Sequence, residues 1–156
     1  TIAEAIQAQS DFTVNSIESR ESYDSGQMRN VTRKGLADVE ALARSGLISS
    51  QRAEQENYRL IKAFLASEIA SGSIQNKTLM DRISDIFKRD SVTSFMIGDN
   101  IRTRRNSKNQ PVELVLVNPT NPNAETEASA TARQVLNRLG PGYYNLFLKY
   151  TPTLGE

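Results

Sequence analysis

The sequence has no cysteine, no histidine and no tryptophan. Without thiols, disulfides and thiolate metal sites are excluded, and the redox compartment is left open. Without histidine, the chain lacks the commonest general base at neutral pH and the commonest transition-metal ligand. Glycine is sparse, eight residues in all, and they form neither G-x-x-x-x-G-K nor G-x-G-x-x-G. Both familiar phosphate cradles are therefore missing. A serine nucleophile would need lysine as its base, and none of the six lysines lies near a recognisable nucleophile elbow. No apolar run reaches the length of a membrane span, and no signal-peptide pattern is visible. These absences imply no cofactor, no metal and no membrane partner, and they argue against an enzyme.

What is present is a chain of 156 residues, 38% of them hydrophobic, with a net charge of +1. That length suits one domain with a modest core. The near-neutral total supplies no global field toward nucleic acid or membrane, yet the charge is divided. Residues 1–26 hold five acids against Arg20, whereas residues 76–110 hold eight bases against four acids. Opposed poles of this kind suit head-to-tail self-association or a polar partner.

The pattern of apolar residues predicts a mainly α, bundle-like single domain with one small β-hairpin over about 101–117. Residues 1–26 form a polar acidic arm or short helix, 27–150 the helical domain, and 151–156 a C-terminal tail. Met28, Val31, Gly35, Val39 and Leu42 recur at helical spacing up to Ser45-Gly46, a stop signal. A second helix opens near Ser49 or Ser50 and runs to about Ala70, with Tyr58, Ile61, Leu65 and Ile69 facing inward. Shorter helical segments are expected over 77–89 and 91–97. A further helix is expected from about Glu125 to Leu139, closed by Gly140-Pro141. Tyr143, Leu146, Phe147 and Tyr150 make a last apolar cluster. Asn30-Val-Thr32 and Asn76-Lys-Thr78 match the glycosylation triplet.

Candidate chemistry is thin. Asp81 and Asp85 would share a helix face and could hold a hard cation, but Arg82, Lys88 and Arg89 around them favour a solvated face with local ion pairs. The segment "IRTRRNSKNQPVELVLVNP" carries more. Arg102, Arg104, Arg105 and Lys108 could neutralise several phosphates, although no aromatic residue interleaves with them to stack on bases. The simpler reading is a hairpin in which 101–105 pairs with 112–117 and Arg104 or Arg102 opposes Glu113. The strand from Val112 to Val117 is apolar on both faces apart from Glu113, the pattern of a strand covered on both sides. With few other strands in the sequence, either helices cover one face of this strand while Val115 and Val117 meet something else, or a neighbouring chain adds to its edge. Val112, Leu114, Val115 and Val117 are expected to form such an interaction edge, completed by another protein. Val115→Lys is accordingly expected to dissolve an assembly while sparing the helices.

The stretch "NPTNPNAETEASATARQVLNRLGPGYYN" resembles the polar-loop-then-helix region of rod-shaped plant virus coat proteins, which follows an Arg-bearing loop. Those coats are also helical and poor in histidine and cysteine. The resemblance covers under a quarter of the chain, and the family's aromatic core motifs have no counterpart in the first half. It implies that Arg102, Arg104 and Arg105 lie in an RNA-facing loop. Two functions are therefore expected. The first is a non-enzymatic structural or interaction protein working by self-assembly, as a homo-oligomer, or with a protein partner. The alternative is a nucleic-acid-binding assembly protein, coat- or nucleoprotein-like, using the Arg102–Lys108 loop.

Overall fold

A computed structural model describes residues 1–19, 25–70 and 94–156. The helix expected over 77–89, its Asp81–Asp85 pair and the Asn76 triplet lie outside the described residues. The fold is mostly helical, with a three-stranded antiparallel sheet. Its elements are α1 (Ile2–Ser19), α2 (Ser25–Arg44), α3 (Ser50–Ala70), α4 (Ser94–Gly98), β1 (Ile101–Arg105), β2 (Pro111–Asn118), β3 (Asn121–Glu125), α5 (Ser129–Leu139) and α6 (Pro141–Tyr150). The chain packs as two compact units, Thr1–Phe64 and Leu65–Glu156.

In the first unit, α2 ends as its sequence predicts. Gly46 takes φ +75°, and the amides of Gly46 and Leu47 donate to the carbonyls of Ala43 and Leu42. These are the two bonds of a Schellman cap, and they need the left-handed residue that glycine supplies at no steric cost. Ser49 caps α3, its hydroxyl accepting from the amide of Arg52 at 3.0 Å. Gly35 of α2 marks the point where the three helices meet. A Cβ there would lie 3.3 Å from Leu60 of α3 and 3.3 Å from Thr13 of α1, so the missing side chain permits the close approach.

Along α3, Ile61, Leu65 and Ile69 are buried, as their spacing predicts, while Tyr58 is half-buried. Of the acidic N-terminal residues, Glu4, Asp11 and Glu18 are helical in α1, which is tied to α3 by polar groups. Ser10 donates to Glu56 at 2.5 Å, Arg52 reaches both Glu56 (3.2 Å) and Gln7 (2.8 Å), and Arg59 pairs with Asp11. Thin apolar spacing in this helix is thus compensated by charge-assisted bonds, which are stronger than neutral ones.

In the second unit, β1 and β2 form the expected hairpin, with Arg104 opposite Glu113 and Ile101 opposite Leu116. The hairpin is not alone. Residues 121–125, whose composition reads as a polar linker, form β3 on the far side of β2, pairing Val117 with Glu125 and Asn118 with Asn121. Pro122 is tolerated there because β3 is an edge strand. Glu125 belongs to this strand, so α5 begins at Ser129, later than its acidic start signal suggests. Gly140 separates α5 from α6, and Pro141 opens the new helix at a first-turn position that needs no amide donor.

Candidate interaction edge and basic hairpin

The hairpin loop is built by Asn106. Its side-chain oxygen accepts the amides of Lys108 and Gln110, both at 3.0 Å, and its amide group donates to Gln110 at 2.9 Å. Asn109 sits at φ 62°, in the left-handed region that asparagine tolerates better than most residues. The result is a determined turn with Ser107 and Lys108 exposed at its tip.

The three arginines of the hairpin are each engaged within the chain. Arg102 donates to the carbonyls of Glu156 (2.7 Å), Asp99 (2.9 Å) and Ile101 (2.8 Å). Arg105 donates to the Thr153 hydroxyl and to the Asn109 carbonyl, both at 3.0 Å. Arg104 enters a closed ring of alternating charge with Glu113, Arg133 and Glu125. Its Nε lies 3.3 Å from Glu113 without hydrogen-bond alignment, and its terminal nitrogen bonds Glu125. Arg133 completes the ring at 3.0 Å from Glu113 and 2.7 Å from Glu125. These side chains are partly exposed, and exposed ion pairs are typically worth only about 0–1 kcal/mol. The ring therefore orients more than it stabilises.

What it orients matters for β2. In an antiparallel pair, alternate residues point their backbone groups away from the partner strand. On β2 these are Leu114 and Leu116, and β3 does not reach them. Instead, the Leu114 amide donates to the Tyr144 hydroxyl (3.2 Å) and its carbonyl accepts from Arg133 Nε (2.7 Å). The Leu116 amide donates to the Ser129 hydroxyl (2.9 Å), and its carbonyl accepts from Thr126 through both amide (2.9 Å) and hydroxyl (2.7 Å). Four outward backbone groups thus find four side chains, three of them carried on α5 and α6. This is a helix-covered edge, one of the ways a sheet avoids pairing with another chain.

The candidate edge is therefore corrected. Leu114, Val115 and Val117 are each 0% exposed, whereas Val112 is 48% exposed. Val115 and Val117 do not lack partners within the chain, because the sheet has a third strand and helices supply what that strand does not cover. The residues that close this edge, Thr126, Ser129, Arg133 and Tyr144, were not apparent as partners of β2 from their spacing. A buried strand in a helical chain does signal that such donors must exist, since buried backbone groups are almost always paired.

Elsewhere, Asn30 is exposed on α2, but the Thr32 of its triplet is buried and donates to the Met28 carbonyl at 2.8 Å. Between α1 and α2 an open groove of about 340 Å³ is lined by Gln9, Asp38, Ala41, Leu42 and Ser45. Asp11 has its pKa lowered, chiefly by the bond from Arg59 and then by the bond from Gln7. Among the described residues no group of three or more acidic side chains is placed to hold a metal ion, and no helix is long and apolar enough to cross a membrane. Compared with protein-family models, curated proteins and solved structures, the chain matches none.

Proposed function

We propose that this chain is a non-enzymatic structural or interaction protein, a helical, bundle-like scaffold carrying a small sheet, which acts by associating with copies of itself or with a protein partner. The observation that carries this reading over its alternative is the commitment of Arg102, Arg104 and Arg105 to acceptors inside the chain. Guanidinium groups already engaged by carbonyls and carboxylates must break those bonds before they can neutralise phosphate, which weakens any electrostatic grip. The separation of charge between residues 1–26 and 76–110 supports association as well.

The alternative, a nucleic-acid-binding assembly protein, draws on Lys108 exposed at the tip of the basic loop. Fluorescence anisotropy with a single-stranded RNA oligonucleotide at low salt separates the two. The proposed reading predicts weak binding that the combined change of Arg102, Arg104 and Arg105 to Gln scarcely alters. Tight binding with a steep salt slope, flattened by about 0.7 per phosphate contact in that variant, favours the alternative.

A further inference from the structure

The sheet is bounded by β1 on one side and by β3 on the other. Where β3 does not reach β2, the backbone groups of β2 are closed by Thr126 and by side chains of α5 and α6. Among the described residues, the outer edge of β1 is covered by the segment Pro152–Glu156, which lies parallel to it through a single bridge between Thr103 and Thr153. Two backbone bonds hold it: the Thr103 amide donates to the Pro152 carbonyl (2.8 Å), and the Leu154 amide donates to the Thr103 carbonyl (2.9 Å). Three further contacts fix its register. Arg105 bonds the Thr153 hydroxyl, Arg102 bonds the Glu156 carbonyl, and the Gly155 amide donates to the Pro122 carbonyl at 2.9 Å.

We infer that Pro152–Glu156 is an exchangeable strand whose second seat is the β1 edge of another copy of this chain. The inference rests on the self-association proposed above and names its interface. Pro152, Gly155 and Glu156 are exposed, and Thr153 and Leu154 are only half-buried. A segment with so little burial opens at low free energy compared with the core. Its departure leaves the Thr103 amide and carbonyl unpaired, the template that recruits an extended strand. The strand that fits the flanking Arg102 and Arg105 donors is the same sequence from a second copy, so each bond lost in one chain is remade between two. Pro152 fixes φ at the start of the segment, which keeps it extended in either seat. Five extended residues reach only about 17 Å, so the two β1 edges must lie side by side. The product is a reciprocal pair, not an open fibre.

The absence of native cysteine makes this directly testable. Full-length Thr103→Cys carrying a heavy-isotope label is mixed with unlabelled full-length Thr153→Cys, oxidised over a range of concentrations, and read by mass spectrometry under non-reducing conditions. Exchange predicts a mixed-isotope disulfide dimer whose fraction rises with concentration, and which disappears when Leu154→Pro removes the amide donor. The double variant Thr103→Cys/Thr153→Cys should close both within one chain and between two. Closure only within one chain, or no closure in either arrangement, overturns the inference. Should the buried Thr103 position fail to tolerate cysteine, Leu154→Pro alone must lower the oligomer mass in light scattering, and an unchanged mass overturns the inference equally. An oligomer without the mixed disulfide defeats this interface while leaving self-association standing. A monomer at every concentration defeats both.

Discussion

At the scale of single residues, the unit carrying the sheet is held by side chains that complete a strand's hydrogen bonding. Ser129 is the clearest case: it is 1% exposed, and its hydroxyl receives the amide of Leu116, itself fully buried. Removing the hydroxyl leaves a buried donor without a partner, which costs about 1–3 kcal/mol. Ser129→Ala should therefore lower the urea midpoint at unchanged slope, and a midpoint equal to wild type would show that water or a neighbour takes the bond over. Asp11 offers a second residue-level test. Its carboxyl is held below the ordinary value of 3.8 by Arg59 and then Gln7. A depressed folded value means that the carboxylate's contribution is fully present above the ordinary value and is lost as pH falls through the lowered one. The difference in thermal midpoint between wild type and Asp11→Asn should thus be constant from pH 7 to pH 5 and shrink on further acidification. An equal gap at the lowest pH would show that the Arg59–Asp11 pair does not hold α1 in place.

At the scale of elements, β2 separates two expectations for one substitution. Were Val115 part of an open edge, Val115→Lys would release partners and leave the fold intact. With Val115 at 0% exposure and paired with Arg102 of β1, the same change loses the burial of a valine and forces an ammonium into the core, costing more than about 3 kcal/mol. Loss of folding in chemical denaturation is the predicted result; an unaltered midpoint with a lower assembly mass would restore the open edge. The periodic helices α2 and α3 and the Schellman stop at Gly46 were legible because their signals are local. The hairpin's charge pairing narrowed its register to Arg104 or Arg102 opposite Glu113, and the structure takes the first. The third strand was not legible, because Asn121–Glu125 carries two asparagines and a proline, and its pairing depends on partners in β2. Its last residue, Glu125, pointed to a helix start, yet Arg104 and Arg133 draw it into the ring. The donors on α5 and α6 were hidden for a similar reason. A serine or tyrosine spaced along a helix says nothing of which strand its hydroxyl will meet.

At the scale of the whole molecule, the candidate site changed character while its residues stayed in place. Arg102 and Arg105, candidate phosphate ligands in the sequence, hold the segment that covers β1. Apolar β2, whose pattern is that of a covered strand and points to another protein as the cover, has Leu114 to Val117 buried within the chain. On the proposed reading, association runs through the β1 side of the sheet, where backbone bonds dominate and salt has little to screen. Light scattering across concentration, at low and high salt, tests this most directly. The mass should rise above the 17.3 kDa of one chain toward twice that value with increasing concentration, at nearly the same concentration in both salts. A mass fixed at one chain throughout, in the absence of any partner, would contradict it.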